Sequence, residues 1–176
     1  MISEETTLVV IDIQEKLLPA IRKSSSMLLN VKKSILAAKA LKLPVICTEQ
    51  YPKGLGHTVD ELSVALKGVP VFEKTSFSCC GSEAFMNSLQ SKKVLLVGIE
   101  AHVCVYQTAC DLLAKGFEVV IAEDAVSSRQ KLDCQRALLN LEKKGVFIST
   151  FESLFMNLLK DSKHPSFKEV SAILKM

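Results

Sequence analysis

Three residues carry side chains that could do chemistry together. Cys104 closes the segment Gly98-Ile99-Glu100-Ala101-His102-Val103-Cys104, directly after the strand-like run Val94 to Val97 and before an amphipathic stretch, Val105 to Lys115. A thiol at a helix N-terminus meets the positive end of the helix dipole and unpaired backbone N–H groups. Both are expected to lower its pKa and expose it as thiolate, the form that attacks carbonyl carbon. Asp12 follows Leu8-Val9-Val10-Ile11, and Lys74 follows Pro70-Val71-Phe72-Glu73. A carboxylate at the mouth of a strand either caps the next helix or serves as a general base, taking the thiol proton and returning it to a leaving group. A lysine in that position is either a solvated strand end or the cation that stabilises a thiolate and holds Asp12 ionised.

The elements that must position these residues are short β-branched runs alternating with longer helical patterns. Strands are predicted at Leu8 to Ile11, Val45 to Thr48, Pro70 to Glu73, Val94 to Val97, Glu118 to Ala122 and Val146 to Ser149. Helical spacing covers Met27 to Leu41, where Leu28, Val31, Ile35 and Leu36 recur near a 3.6-residue period. Further helices are predicted over Ser82 to Leu89, Val105 to Lys115 and Asp133 to Lys144, with a short one at Val59 to Leu66. The tail from Glu152 reads as helix broken at His164-Pro165. Buried strands alternating with helices call for a parallel sheet covered on both faces. The expectation is a single α/β domain over residues 1–176, a three-layer α/β/α sandwich with a six-stranded parallel sheet. Ligands of such Rossmann-like sheets bind beyond the carboxyl ends of the strands, where strand order reverses. Asp12, Lys74 and the Gly98-to-Cys104 segment all fall at such ends.

Composition narrows the function class. Apolar residues make up 48% and charged residues 23% of the 176, which marks a folded globular chain. A net charge of +3 without a basic run gives no footprint for nucleic acid, and no apolar run is long enough to span a bilayer. The six cysteines follow no disulfide rhythm, so a reduced, cytoplasmic setting is expected, with an organellar address left open. Cys47, Cys110 and Cys134 read as core thiols, and the vicinal pair Cys79-Cys80 is assigned no role. His57, His102 and His164 lack metal-ligand spacing, so neither a metal nor another cofactor is expected. The loop Tyr51 to Gly56 matches no phosphate-binding pattern and suits closure over a substrate. The absence of a dinucleotide fingerprint and of Trp, with only two Tyr, speaks against a flavodoxin-like redox domain.

Taken together these segments resemble the isochorismatase-like cysteine hydrolase superfamily, from about Leu8 to the strand near Val146. The resemblance rests on Asp12-Ile13-Gln14, Glu73-Lys74-Thr75-Ser76-Phe77 and Gly98-Ile99-Glu100-Ala101-His102-Val103-Cys104-Val105, with Glu123-Asp124-Ala125 following the fifth strand. It implies a catalytic set of Asp12, Lys74 and Cys104. It also implies a non-proline cis peptide between Ile99 and Glu100, and an oxyanion hole from the backbone N–H groups of Glu100 and Cys104. Gln14, Phe77 and His102 are the expected substrate contacts. Nicotinamidases of the superfamily bind a metal just after the second strand, where this chain carries Thr48-Glu49-Gln50-Tyr51-Pro52, so no zinc is expected. The retained Cys104 points to thiol-based hydrolysis of a small amide-like bond rather than isochorismate cleavage. The stretch Glu49 to Gly56 is similar to the branch called isochorismatase domain-containing proteins. Related hydrolases oligomerise, so self-association is expected too. The alternative from another class is an idle or regulatory scaffold that keeps the three residues.

Overall fold

Strand β1 (Thr6–Ile11) is buried along its whole length, and its four apolar side chains divide between two apolar clusters. Leu8 and Val10 join one cluster while Val9 and Ile11 join the other, the period-2 alternation of a strand covered on both faces. The computed structural model describes residues 2–176. Its sheet contains β1, β2 (Val45–Gln50), β3 (Val71–Lys74), β4 (Lys93–Ile99), β5 (Glu118–Ser127) and β6 (Phe147–Ser149). All pairings are parallel, in the order β3-β2-β1-β4-β5-β6.

Helices cover both faces, as the alternating pattern requires. Leu8 and Val10 share a cluster with Met27, Val31 and Ile35 of α1 (Ser24–Ala40), together with Phe151, Leu154, Phe155 and Leu158 of α6 (Phe151–Leu159) and Val170 of α7 (Phe167–Leu174). Val9 and Ile11 share a cluster with Phe85 of α3 (Glu83–Ser88), Ala109 and Leu112 of α4 (Tyr106–Ala114) and Leu141 of α5 (Lys131–Lys143). The remaining helix, α2 (Pro52–Leu55), is a single turn on the loop after β2. Among the described residues no helix is long and apolar enough to cross a membrane.

Three expectations from the sequence change. The short helix at Val59 to Leu66 is only a 3-10 turn, Asp60–Leu62, followed by turns to Gly68. Its apolar spacing is real, because Val59, Leu62, Ala65 and Leu66 are all buried, but successive turns bury them without a helix. The loop Tyr51 to Gly56 contains the turn α2, with Pro52 at the first helical position, where its missing N–H costs nothing. Strand β5 runs on to Ser127, past the expected end at Ala122. Its register against β4 shifts between Leu96 and Gly98, and that irregularity carries Glu123 and Asp124 through the strand.

Asp124 shows why a carboxylate belongs there. Its Oδ1 accepts from the backbone N–H of Phe151 at 2.8 Å, at the start of α6, and its backbone carbonyl accepts from Asn30 Nδ2 at 3.0 Å. The free first-turn N–H groups of a helix favour a negative partner. Asp124→Ala is therefore expected to cost about 1–2 kcal/mol. Denaturant unfolding checks this through the midpoint.

Candidate active site

Strand order reverses between β1 and β4: β2 and β3 extend the sheet to one side, β5 and β6 to the other. The ends of β1 and β4 therefore part at the crevice where such sheets bind ligands. Ile11 pairs with Gly98 in the ladder, and Gly98 has φ +119°. A Cβ on Gly98 would overlap the Ile11 carbonyl oxygen and sit 2.7 Å from the Ile11 nitrogen. Only glycine lets the two backbones approach this closely and then turn. Asp12, in the left-handed region at φ +51°, leaves β1 at this point, and its N–H donates to the Thr48 carbonyl at 3.2 Å.

Lys74 comes from the edge strand β3 and reaches across β2 to Asp12. Its Nζ donates to Asp12 Oδ2 at 2.6 Å, with both side chains out of solvent. The same ammonium donates to Gln50 Oε1 at 2.8 Å and to the Phe77 and Ser76 carbonyls at 3.1 and 3.3 Å. Three hydrogens thus serve four oxygens, so the cation is fully paired. Thr48, on the intervening strand, donates from Oγ1 to Asp12 Oδ1 at 2.7 Å. Each carboxylate oxygen of Asp12 has its own donor.

Cys104 joins this pair from β4. Beyond the cis peptide Ile99–Glu100 the chain forms a wide π turn, Ala101–Val105, that runs straight into α4. The Glu100 carbonyl accepts from the N–H groups of Val103 and Val105. Cys104 therefore lies inside the first turn rather than ahead of the helix. It is also buried, at 6% exposure. The expectation of an exposed, low-pKa thiolate is corrected. Burial pushes the Cys104 thiol up, and the charge and hydrogen bonding of Asp12 add to the rise, with Lys74 opposing them. Desolvation and a neighbouring carboxylate outweigh the dipole of one helix turn. The shift favours the protonated thiol at Cys104.

The surrounding frame is polar and held by the backbone. Gln14 accepts from the Gln50 N–H at 2.7 Å and donates to the carbonyls of Gln50 and Gly56 at 3.0 and 2.6 Å. It clamps the end of β2 to the following loop. Gln50 Nε2 donates to the Thr75 carbonyl at 2.7 Å while its Oε1 receives Lys74. Glu49 takes the Thr58 N–H and hydroxyl at 2.7 and 2.8 Å and lies 3.0 Å from His57 Nδ1. Burial pushes the Glu49 carboxyl up, but the Thr58 N–H and His57 together leave it below its ordinary value. Among the described residues no three His, Cys, Asp or Glu side chains group as they would around a metal ion.

Phe77 and His102 stand nearer to solvent. The Phe77 ring is exposed while its carbonyl holds Lys74. His102 Nδ1 lies 3.0 Å from Ser128 Oγ, and the Glu100 carboxylate accepts from the N–H and Nε of Arg129, each at 3.1 Å. These contacts tie the turn bearing Cys104 to the end of β5.

Residues 6–153 match the isochorismatase domain family. The chain belongs to the isochorismatase family. It is 43% identical over 173 residues to isochorismatase domain-containing protein 2 of Danio rerio, covering 96% of this chain and 86% of that one. It is 40% identical to isochorismatase domain-containing protein 1 of Salmo salar, covering 99% of this chain but 62% of that longer one. A solved Caenorhabditis elegans structure described as MAR1 ribonuclease superposes with a TM-score of 0.93 at 42% identity, over 97% of this chain and 90% of that one. Membership in the isochorismatase family gives hydrolase as the general class.

On this isochorismatase-family domain the three residues singled out in sequence meet at one place. Thr48 and Gln50, which link Asp12 to Lys74, escape sequence reading. Their signal is two polar residues continuing the buried run of β2, all six positions of which are out of solvent. Polar groups in such a strand need partners, and here the partners are the charged pair.

Proposed function

We propose that this protein is a cysteine-dependent hydrolase of a small amide-like substrate, working through a thioester on Cys104. The observation that supports it most is a solvent-free carboxylate, Asp12, fixed by Lys74 at 2.6 Å and Thr48 at 2.7 Å, whose charge and hydrogen bonding bear on the neighbouring Cys104 thiol. Asp12 takes that proton as the sulfur attacks the carbonyl carbon. Lys74 keeps the local charge balanced. The tetrahedral oxyanion is met by the backbone N–H groups of Glu100 and Cys104. As the carbon–nitrogen bond breaks, Asp12 gives its proton to the leaving amine. Water then attacks the thioester, giving its proton to Asp12, and the carboxylic acid leaves as the thiol is restored. Phe77 and His102 are the side chains offered to the substrate, and Gln14 acts through the loop it clamps.

A scaffold that merely retains these residues is the less economical reading. A buried ion pair seldom improves stability over apolar packing, so a chain that keeps one gains by using it. Self-association belongs to the proposal: Leu132 and Leu139 of α5 and Phe147 of edge strand β6 expose apolar surface, and light scattering measures its consequence.

The test is a panel of small primary amides, ureides and an RNA oligonucleotide, the last because the Caenorhabditis elegans relative is called a ribonuclease. Hydrolysis of an amide or ureide, with an acyl adduct on Cys104 trapped by acid quench and read by mass spectrometry, is the expected result. Turnover of RNA alone, or no adduct and no turnover anywhere on the panel, removes the amidase proposal.

A further inference from the structure

We infer that Thr48 is a positioning residue for Asp12, and that Cys79, a second thiol at the site, commits the Thr48 hydroxyl to that task. The inference rests on the reading of Cys104 as nucleophile and Asp12 as its base.

A hydroxyl has one hydrogen to give and two lone pairs to receive with. Thr48 is fully buried and gives its hydrogen to Asp12 Oδ1 at 2.7 Å. Cys79, also fully buried, places Sγ 3.8 Å from Thr48 Oγ1 on the donor side of that contact. Burial pushes the Cys79 thiol up to about 12, so it keeps the hydrogen that it donates to Thr48 through the neutral range. With Cys79 donating to it, the Thr48 hydrogen has a single destination. The N–H of Cys79 in turn donates at 2.9 Å to Thr108 Oγ1, on α4, four residues beyond Cys104. A continuous set of contacts therefore runs from Asp12 through β2 and the Cys79 segment to the helix that follows the nucleophile.

The carboxylate needs this restraint. Its Oδ2 is drawn to Lys74, and both side chains of the pair are closed off from solvent, which leaves Thr48 to hold Oδ1. Without Thr48, a dry carboxylate gains most by turning both oxygens towards the ammonium. That rotation takes the proton acceptor away from the thiol. The vicinal cysteines, without a role in the sequence, thus divide: Cys79 supports the base, while the half-buried Cys80 packs beside it.

Iodoacetamide tests this without a known substrate, because alkylation of a neutral buried thiol needs the same proton acceptor. The rate of Cys104 modification at neutral pH is read by peptide mass spectrometry. Thr48→Val keeps the side-chain shape and removes the hydroxyl; Thr48→Ser keeps the hydroxyl and removes a methyl. Alkylation of Cys104 is expected to slow about tenfold in Thr48→Val and to stay near the wild-type rate in Thr48→Ser. A packing role predicts the opposite order. A Thr48→Val rate at or above wild type, or a Thr48→Ser rate as slow as Thr48→Val, overturns the inference. Should Thr48→Val fail to fold, Cys79→Ala carries the test: slower alkylation of Cys104 supports it and an unchanged rate overturns it. A wild-type Cys104 that does not react at all overturns the nucleophile reading as well, whereas a reactive wild type with an unaffected Thr48→Val overturns this inference alone.

Discussion

Cys104→Ala is expected to lower turnover of any amide the wild-type protein hydrolyses by about 10⁴-fold or more, while the thermal midpoint stays nearly unchanged. Loss of the sulfur removes the atom that forms the acyl intermediate, so no part of the proposed route survives. What remains is the binding of substrate and two backbone donors acting on an unassisted water. The fold should tolerate the change because the side chain is small and the ion pair beside it keeps all its partners. Asp12→Asn is expected to cost as much, and Cys104→Ala combined with Asp12→Asn little more than either alone, since members of one unit are not additive. Steady-state rates of the three variants on one substrate check this. Turnover retained in purified Cys104→Ala would mean that Asp12 activates water directly and that no thioester forms.

The parts of this site that a sequence can supply are those with an address. Asp12 and Lys74 are charged residues ending apolar runs, and the parallel topology brings such ends to one edge of the sheet. Cys104 is placed for the same reason. Its protonation is not legible, because the helix-dipole argument counts one favourable field and omits the buried carboxylate alongside. That carboxylate comes from a residue ninety-two positions earlier in the chain (104 − 12). Thr48 and Gln50 escape on similar grounds: their hydrogen bonds cross strands, and nothing local marks them. Helical periodicity misleads at Val59 to Leu66, since buried residues three apart suit a chain of turns as well as a helix. The polar pair Glu123-Asp124 shortens the expected β5, because its reason, the α6 N-terminus bound by Asp124, lies in a later element.

Removing one charge of the buried pair should be far more damaging than removing both. Lys74→Met leaves the Asp12 carboxyl in a dry site without its cation, with Thr48 as its remaining side-chain donor, and is expected to destabilise the protein by about 3–5 kcal/mol. For a chain of this length that lowers the thermal midpoint by roughly 10 °C. The double variant Asp12→Asn/Lys74→Met removes the carboxylate charge as well, and the amide carbonyl it puts in place of the carboxylate can still accept the Thr48 hydrogen. It should regain most of the lost stability, because the Coulomb attraction of such a pair is largely cancelled by the cost of taking two charges out of water. Guanidinium unfolding of the wild type, both single variants and the double variant gives the coupling between the two positions. A Lys74→Met protein as stable as wild type would show that Asp12 finds compensation elsewhere, and would remove the electrostatic account of the site. If the double variant is stable and inactive, the two charges are kept for what they do to the neighbouring thiol, since the fold holds without them.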